Sequence, residues 1–259
     1  DYYASRGLGD VYKRQIIDGI NLNLLSLSNN ISYVGPLRAT TQRYYRFQNY
    51  AVEEIDSDGK NLAMYLYNLD KESLNNFKNW TRRLFGFEVE VSSVNGNMEL
   101  IINEEGKEKH NMVDVGFGYT QILPILAIIW KTLYKDFAIT NYSRTTGRNQ
   151  YIVAIEQPEL HLHPRLQGLF ASMLVTVIKE AKEQGRDIRF IIETHSEIII
   201  SRIGQMIATH EFSNEDINVF IFNAANEGMQ NYIEKSYYSE DGQLINWPYG
   251  FFSDYVFED

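Results

Sequence analysis

From Tyr151 onward the chain alternates short apolar runs with longer amphipathic stretches. Tyr151–Ile155 is wholly apolar, and Pro164–Glu183 has helical periodicity. Ile188–Thr194 is a second apolar run, Ser196–Ala208 a second helical stretch and Ile217–Phe222 a third run. Runs without polar alternation predict strands buried on both faces, as in a parallel sheet covered by helices. The β-α-β-α-β order predicts parallel strands joined by right-handed crossovers. Pro164 suits the first turn of its helix, Ser196 suits an N-cap, and Gly185 suits a C-cap. The fold class is therefore α/β, a parallel sheet with flanking helices.

The upstream part is more mixed. Ile31–Val34 reads as a short strand followed by Gly35-Pro36-Leu37-Arg38. Arg43–Tyr50 is basic and aromatic, as a surface loop or a partner contact would be. Leu74–Phe85 has the spacing of an amphipathic helix. Glu88–Val94 and Met98–Ile102 flank Asn95-Gly96, a strong hairpin signal that adds a small α+β element. An apolar helix is expected from about Gln121 to Tyr134. Gly228–Asp259 is rich in Tyr, Phe and Gly, and reads as a hairpin followed by an irregular aromatic tail. Ser5–Gln15, SRGLGDVYKRQ, resembles the direct translation of a transposase sequencing adapter and is set aside from fold reasoning. On that reading residues 1–15 are an artefact and the natural sequence, truncated at its N-terminal side, starts near Ile16. Residues 16–225 then form the main domain and 226–259 a small aromatic-rich one.

Composition narrows the partners more than the fold. The 259 residues are 44% hydrophobic and 22% charged, with a net charge of −10. That balance argues against broad electrostatic capture of nucleic acid by the chain alone. No cysteine is present, which excludes disulfides and thiolate metal sites and fits a cytoplasmic protein. The longest apolar run, Ile122–Trp130, is too short to span a bilayer, so no membrane partner is expected.

Two of the apolar runs end in polar residues. The first gives Glu156, Gln157 and Glu159; the second gives Glu193, Thr194, His195 and Ser196. Parallel strands bring such tips to one sheet edge, where open α/β folds place their ligands. A carboxylate beside a histidine suits a metal-phosphate site: the carboxylate holds Mg²⁺ directly or through water, and the imidazole donates to a phosphate oxygen. Upstream, Val115–Gln121 places glycines directly before a helix start, a ready anion site.

Together these segments resemble the C-terminal half of an ABC/SMC-like ATPase of the AAA-annotated group, with the overcoming-lysogenization-defect-type (OLD-like) proteins the nearest in pattern. Asp114–Ile125, DVGFGYTQILPI, looks like the signature segment. Ile152–Pro164, IVAIEQPELHLHP, looks like Walker B and the D-loop, and Phe190–Glu197, FIIETHSE, looks like the switch-histidine strand. Tyr33–Arg38, YVGPLR, is similar to a family element after the first strands. Asp241–Phe252 resembles a small C-terminal domain often appended to these ATPases. The resemblance implies a P-loop NTPase fold and ATP and Mg²⁺ as cofactors. It also implies a head-to-tail homodimer around two nucleotides. Glu156 would take the Walker B position and hold Mg²⁺. His195 would contact the γ-phosphate or the attacking water. Gly116, Phe117, Gly118, Tyr119, Thr120 and Gln121 would face the nucleotide of the second protomer. Nucleic acid or an effector protein, and a role in DNA transactions or phage defence, follow from the resemblance alone.

The pattern departs from that family in two places. No GxxxxGK[ST] phosphate loop occurs: Gly59-Lys60 is followed by Asn61, and Glu54 stands at the first glycine position. The chain by itself is therefore expected to bind ATP weakly and not to hydrolyse it. Gln157 stands where a catalytic glutamate often follows Walker B. Glutamine orients water but cannot accept its proton, so either Glu159 takes that role or turnover is slow. Two other function classes compete. One is a metal-dependent hydrolase built on Glu156, His161, His163 and His195; the other is a non-catalytic, nucleotide-dependent interaction module.

Overall fold

The computed structural model describes residues 13, 15–21, 24, 28, 30–47, 52–134, 150–223 and 232–248. Most of the adapter-like segment and the end of the aromatic tail lie outside them. In chain order the elements begin β1 (Ile31–Val34), β2 (Tyr45–Arg46), α1 (Leu62–Asn68), α2 (Lys71–Phe85), β3 (Phe87–Val94), β4 (Asn97–Glu104), β5 (His110–Asn111) and α3 (Phe117–Tyr134). They continue β6 (Gln150–Glu156), α4 (Pro164–Glu183), β7 (Asp187–Glu193), α5 (Glu197–Ala208), β8 (Val219–Asn223), β9 (Tyr232–Tyr238) and β10 (Leu244–Ile245). The chain divides into two compact units, Asp1–His161 with Val177–Thr194, and Leu162–Thr176 with His195–Asp259.

In the first unit β1, β6 and β7 form a parallel sheet in the order β1-β6-β7. The hairpin predicted at Asn95-Gly96 is present. Asn95 and Gly96 have φ of 50° and 76°, the pair of positive values a two-residue type I′ turn needs, and β3 and β4 pair antiparallel along their whole length. Helix α2 starts at Asp70, whose side chain accepts from the Ser73 amide, and stops at Gly86, whose φ is 77°. Its apolar face buries Phe77 and Trp80, and Phe77 meets Trp130 of α3 edge-on at 5.3 Å. Helix α3 is apolar all round and buried from Thr120 to Leu133, as a central helix should be. It packs on β1 and β6. Among the described residues no helix is long and apolar enough to cross a membrane.

Two expectations need correction. The strands are not buried on both faces. Along β6 every second residue, Tyr151, Val153 and Ile155, is buried, while the alternate face carries Tyr33 of β1 at 46% exposure and Ile191 of β7 at 62%. Within this unit α3 covers one face only, and an apolar run reports strand character without reporting which faces are covered. The third run, observed as β8, does not extend the parallel sheet. It pairs antiparallel with β9, which pairs with β10, in the second unit. Its alternation of buried Ile221 with exposed Phe220 and Phe222 is that of an antiparallel strand with one solvated face.

The second unit also contains α5. Ser196 caps it as expected, its Oγ accepting from the Ile199 amide at 3.1 Å and donating to Gln167 Oε1 at 2.6 Å. Helix α5 meets the β9–β10 turn through two glycines. A Cβ on Gly204 would run into the carbonyl of Gly242, and one on Gly242, at φ 73°, into the backbone of Gly204.

Candidate functional site

Register decides what the first unit presents at the C-terminal edge of its sheet. Glu156 pairs with Glu193, Ala154 with Ile191, and Tyr33 with Ala154. Side chains two apart on a strand share a face, and registered neighbours point the same way. Tyr33, Glu156 and Glu193 therefore stand together on the face that α3 leaves open. The Tyr33 hydroxyl donates to Glu156 Oε1 at 2.8 Å. That hydrogen bond is the main reason the Tyr33 pKa is raised; burial and the charges of Glu156 and Glu193 add to it.

Beyond Glu156 the chain turns sharply. Gln157 has φ of 43°, a left-handed conformation that costs a non-glycine residue strain. Its amide donates to the Glu193 carbonyl at 2.9 Å, and its carbonyl accepts from the Leu160 amide at 3.1 Å. Glu159 turns back toward β7, where Oε2 accepts from Thr194 Oγ1 at 2.7 Å. His161, at φ 62°, sets its ring edge-on to Phe117 with centroids 4.9 Å apart.

The glycine loop before α3 differs in detail from the reading of its sequence. The helix begins at Phe117, earlier than the expected start near Gln121, so Gly118 lies in its first turn and Gly116, at φ 101°, precedes it. Gly116 and Phe117 are exposed, whereas Thr120 and Gln121 are buried. The Tyr119 hydroxyl donates to Glu104 Oε1 at 2.7 Å, and Thr120 Oγ1 donates to the Phe117 carbonyl at 2.7 Å. Asp114 at the loop entrance is ion-paired with Arg43 at 2.5 Å, which gives one residue of the basic-aromatic stretch a structural partner.

His195 opens the second unit, exposed and directly before the α5 cap. His161 closes the first segment of the first unit, and His163 belongs to the second unit. The Nδ1 of His163 accepts from the Arg165 amide at 3.2 Å. Among the described residues no group of three or more His, Asp or Glu is arranged to hold a metal ion by side chains alone. The registered pair Glu156 and Glu193 offers oxygen donors of the kind magnesium takes while keeping most of its waters.

A family model described as an AAA ATPase domain matches residues 20–200, well over half of the chain. The chain belongs to the AAA ATPase domain family. With the parallel sheet and its helices, this AAA ATPase domain has a mixed α/β fold of the P-loop NTPase class. No curated protein matches the chain. Among solved structures it is similar to an SMC ATPase studied for ATP-driven dimerisation and DNA-stimulated activation, at 13% identity and a TM-score of 0.39, covering 62% of this chain and 81% of that one. It is also similar to the Smc head domain of Pyrococcus furiosus bound to the C-terminal domain of ScpA. There the identity is 10% and the TM-score 0.36, and the match covers 62% of this chain and 34% of that one. For the Smc head domain of Pyrococcus yayanosii the identity is 12%, the TM-score 0.38 and the two coverages 66% and 27%.

Two residues of this AAA ATPase domain's strand edge, the first and last of the Tyr33–Arg38 element, had no role assigned from the sequence. Tyr33 sat inside an ordinary strand pattern. Arg38 followed it in the GPLR element but had no assigned role; it is buried and donates to the backbone at the tip of β6. Only the pairing of β1 with β6 brings either residue to Glu156.

Proposed function

We propose that this chain supplies the signature, Walker B and switch-histidine parts of an ABC-like ATPase of the OLD-like group. The ATPase closes as a head-to-tail homodimer around two Mg-ATP. The observation that carries this reading is the β6 tip, where Glu156 stands in register with Glu193 on the open sheet face, followed by a turn tied at three backbone groups. No GxxxxGK[ST] occurs in the 259 residues. On this reading the phosphate cradle is supplied from outside them, and the 259 residues alone bind ATP weakly and do not turn it over.

The residues divide the work as follows. Glu156 holds magnesium through water, with Tyr33 fixing one carboxylate oxygen. Magnesium, when bound, supplies charge neutralisation of the phosphates. Phosphoryl transfer depends on position and charge more than on covalent chemistry. His195 donates a hydrogen bond to the terminal phosphate or orients the attacking water. Gln157 orients that water without accepting its proton, and Glu159 is the nearest alternative base in sequence. Gly116, Phe117 and Gly118, at the exposed start of α3, contact the nucleotide of the partner protomer; Tyr119, Thr120 and Gln121 support that turn from within. The dimer is cytoplasmic and acts with nucleic acid or an effector protein, in DNA transactions or phage defence.

Sedimentation of the intact protein tests the reading. With magnesium and a non-hydrolysable ATP analogue the sedimenting mass should double. A mass unchanged by nucleotide at micromolar protein contradicts the dimer. Gln157 favours one second reading, a nucleotide-binding module without turnover. ATP binding and dimerisation by an intact protein that releases no phosphate would support that module.

A further inference from the structure

Arg38 has an environment that a purely structural arginine does not need. It is 5% exposed, yet among the described residues no carboxylate forms an ion pair with it. Its Nη2 donates to two main-chain oxygens, those of Glu156 and Gln157, each at 3.0 Å. Among the described residues its Nε and Nη1 are buried without a hydrogen-bond partner. Burial pushes the guanidinium pKa down to about 10, while the charge of Glu159 acts in the opposite direction. A buried cation with unfilled donors is costly to keep. Such a cost is retained where it fixes a geometry that would otherwise relax.

The geometry it fixes is the turn at the β6 tip. Gln157 holds a left-handed backbone at φ 43°, and a carbonyl there would rotate freely without donor contacts. Arg38 and the Leu160 amide both bond that carbonyl, while the Glu193 carbonyl takes the Gln157 amide. The arginine itself is seated on a fixed segment. Gly35 donates to the Ser57 carbonyl at 3.1 Å and Ala39 to the Asp58 carbonyl at 2.8 Å. The turn that provides those carbonyls ends at Gly59, which lies so close to Pro124 of α3 that a Cβ would come within 2.6 Å of its ring. The guanidinium is thus anchored on both sides and aimed at two consecutive carbonyls.

We propose that Arg38 is a positioning residue for the strand-tip site, clamping the Glu156–Gln157 peptide so that the Glu156 carboxylate and the Gln157 amide keep one orientation toward the nucleotide. This rests on the ATPase reading of that tip. Arg38 touches neither nucleotide nor metal; it acts through the backbone of the residues that do. Lysine carries a point charge on a flexible stem without the planar guanidinium fork and holds two carbonyls less rigidly, so Arg38→Lys retains part of the effect.

Two measurements test it, and they fail separately. Hydrogen exchange on the 259-residue chain reads the turn alone. In Arg38→Ala the Gln157 and Leu160 amides should exchange about tenfold faster, with amides further back along β6, such as those of Val153 and Ile155, unchanged. Wild-type protection at Gln157 and Leu160, or equal loss along all of β6, overturns the clamp. Turnover by the intact ATPase reads the consequence. Arg38→Ala should lower kcat by ~10²-fold, the scale of a small misplacement, with KM for ATP nearly unchanged. Arg38→Lys should fall between, and added guanidinium should restore part of the Arg38→Ala loss. If Glu156→Gln abolishes turnover while Arg38→Ala keeps the wild-type kcat, the clamp is wrong and the ATPase reading stands. If Glu156→Gln turns over like the wild type, the assignment of the nucleotide site to the β6 tip fails, and the exchange experiment alone then decides whether Arg38 holds the turn.

Discussion

The Tyr33 hydroxyl donates to Oε1 of Glu156 at 2.8 Å, joining the end of β1 to the end of β6 on the open face of the sheet. A carboxylate restrained by such a partner presents its remaining lone pairs in one direction. Loss of a group that orients a metal ligand typically costs roughly 10–100-fold in metal affinity. If Glu156 holds magnesium as proposed, Tyr33→Phe in the intact protein should raise the magnesium concentration for half-maximal turnover by about tenfold, with little change in ATP affinity. Magnesium titrations that superimpose for wild type and variant would show that the hydroxyl has no part in orienting Glu156.

The second unit depends on the close approach of Gly204 in α5 to Gly242 in the β9–β10 turn. Gly242 carries the double constraint of a φ of 73° and a backbone neighbour where its Cβ would be. Overpacking of this kind costs roughly 1–3 kcal/mol, and the positive φ adds to it. Gly242→Ala should lower the urea midpoint clearly, while Gly96→Ala, at the exposed β3–β4 turn with nothing near its Cβ, should cost less. Equal midpoints for Gly242→Ala and wild type would contradict the packing.

Asp70 caps α2 through its carboxylate, which accepts from the Ser73 hydroxyl at 2.6 Å and the Ser73 amide at 2.8 Å. These bonds, the hydroxyl first, hold its pKa below the ordinary 3.8. A carboxylate depressed in the folded state stabilises above its unfolded pKa, and loses that contribution as pH falls through the folded value. Asp70→Ala should lower the thermal midpoint at pH 7, and the gap from wild type should close as the pH drops below about 4. A gap that persists unchanged at about pH 2 would show that the carboxylate charge is not what caps the helix.

Local signals made much of this architecture readable. Pro164 and the polar residues before Gly185 bound α4 at the residues observed, Ser196 caps α5, and Asn95-Gly96 turns the β3–β4 hairpin. Each of these is a decision made within a few residues of chain. The misses are long-range. Whether β8 joins a parallel sheet or a hairpin depends on a partner strand that lies outside its own run. Whether a strand face is covered depends on helices that no periodicity names. At the site, Glu156 and Glu193 were legible because both end apolar runs. The roles of Tyr33 and Arg38 within their family-like element were not, because a hydrogen bond spanning 118 residues, from Arg38 to the Glu156 carbonyl, leaves no trace in either local pattern.

Steady-state Mg-ATP turnover by the intact protein measures most directly whether Glu156 is the acidic group of a nucleotide site. Glu156→Gln keeps the size of the side chain and removes its charge, and His195→Ala removes the second polar group proposed for the reaction. Each should lower kcat by roughly 10²–10³-fold, the scale of losing one stabilising group in the transition state, with the fold preserved by circular dichroism. Wild-type turnover in Glu156→Gln would contradict the assignment of the β6 tip.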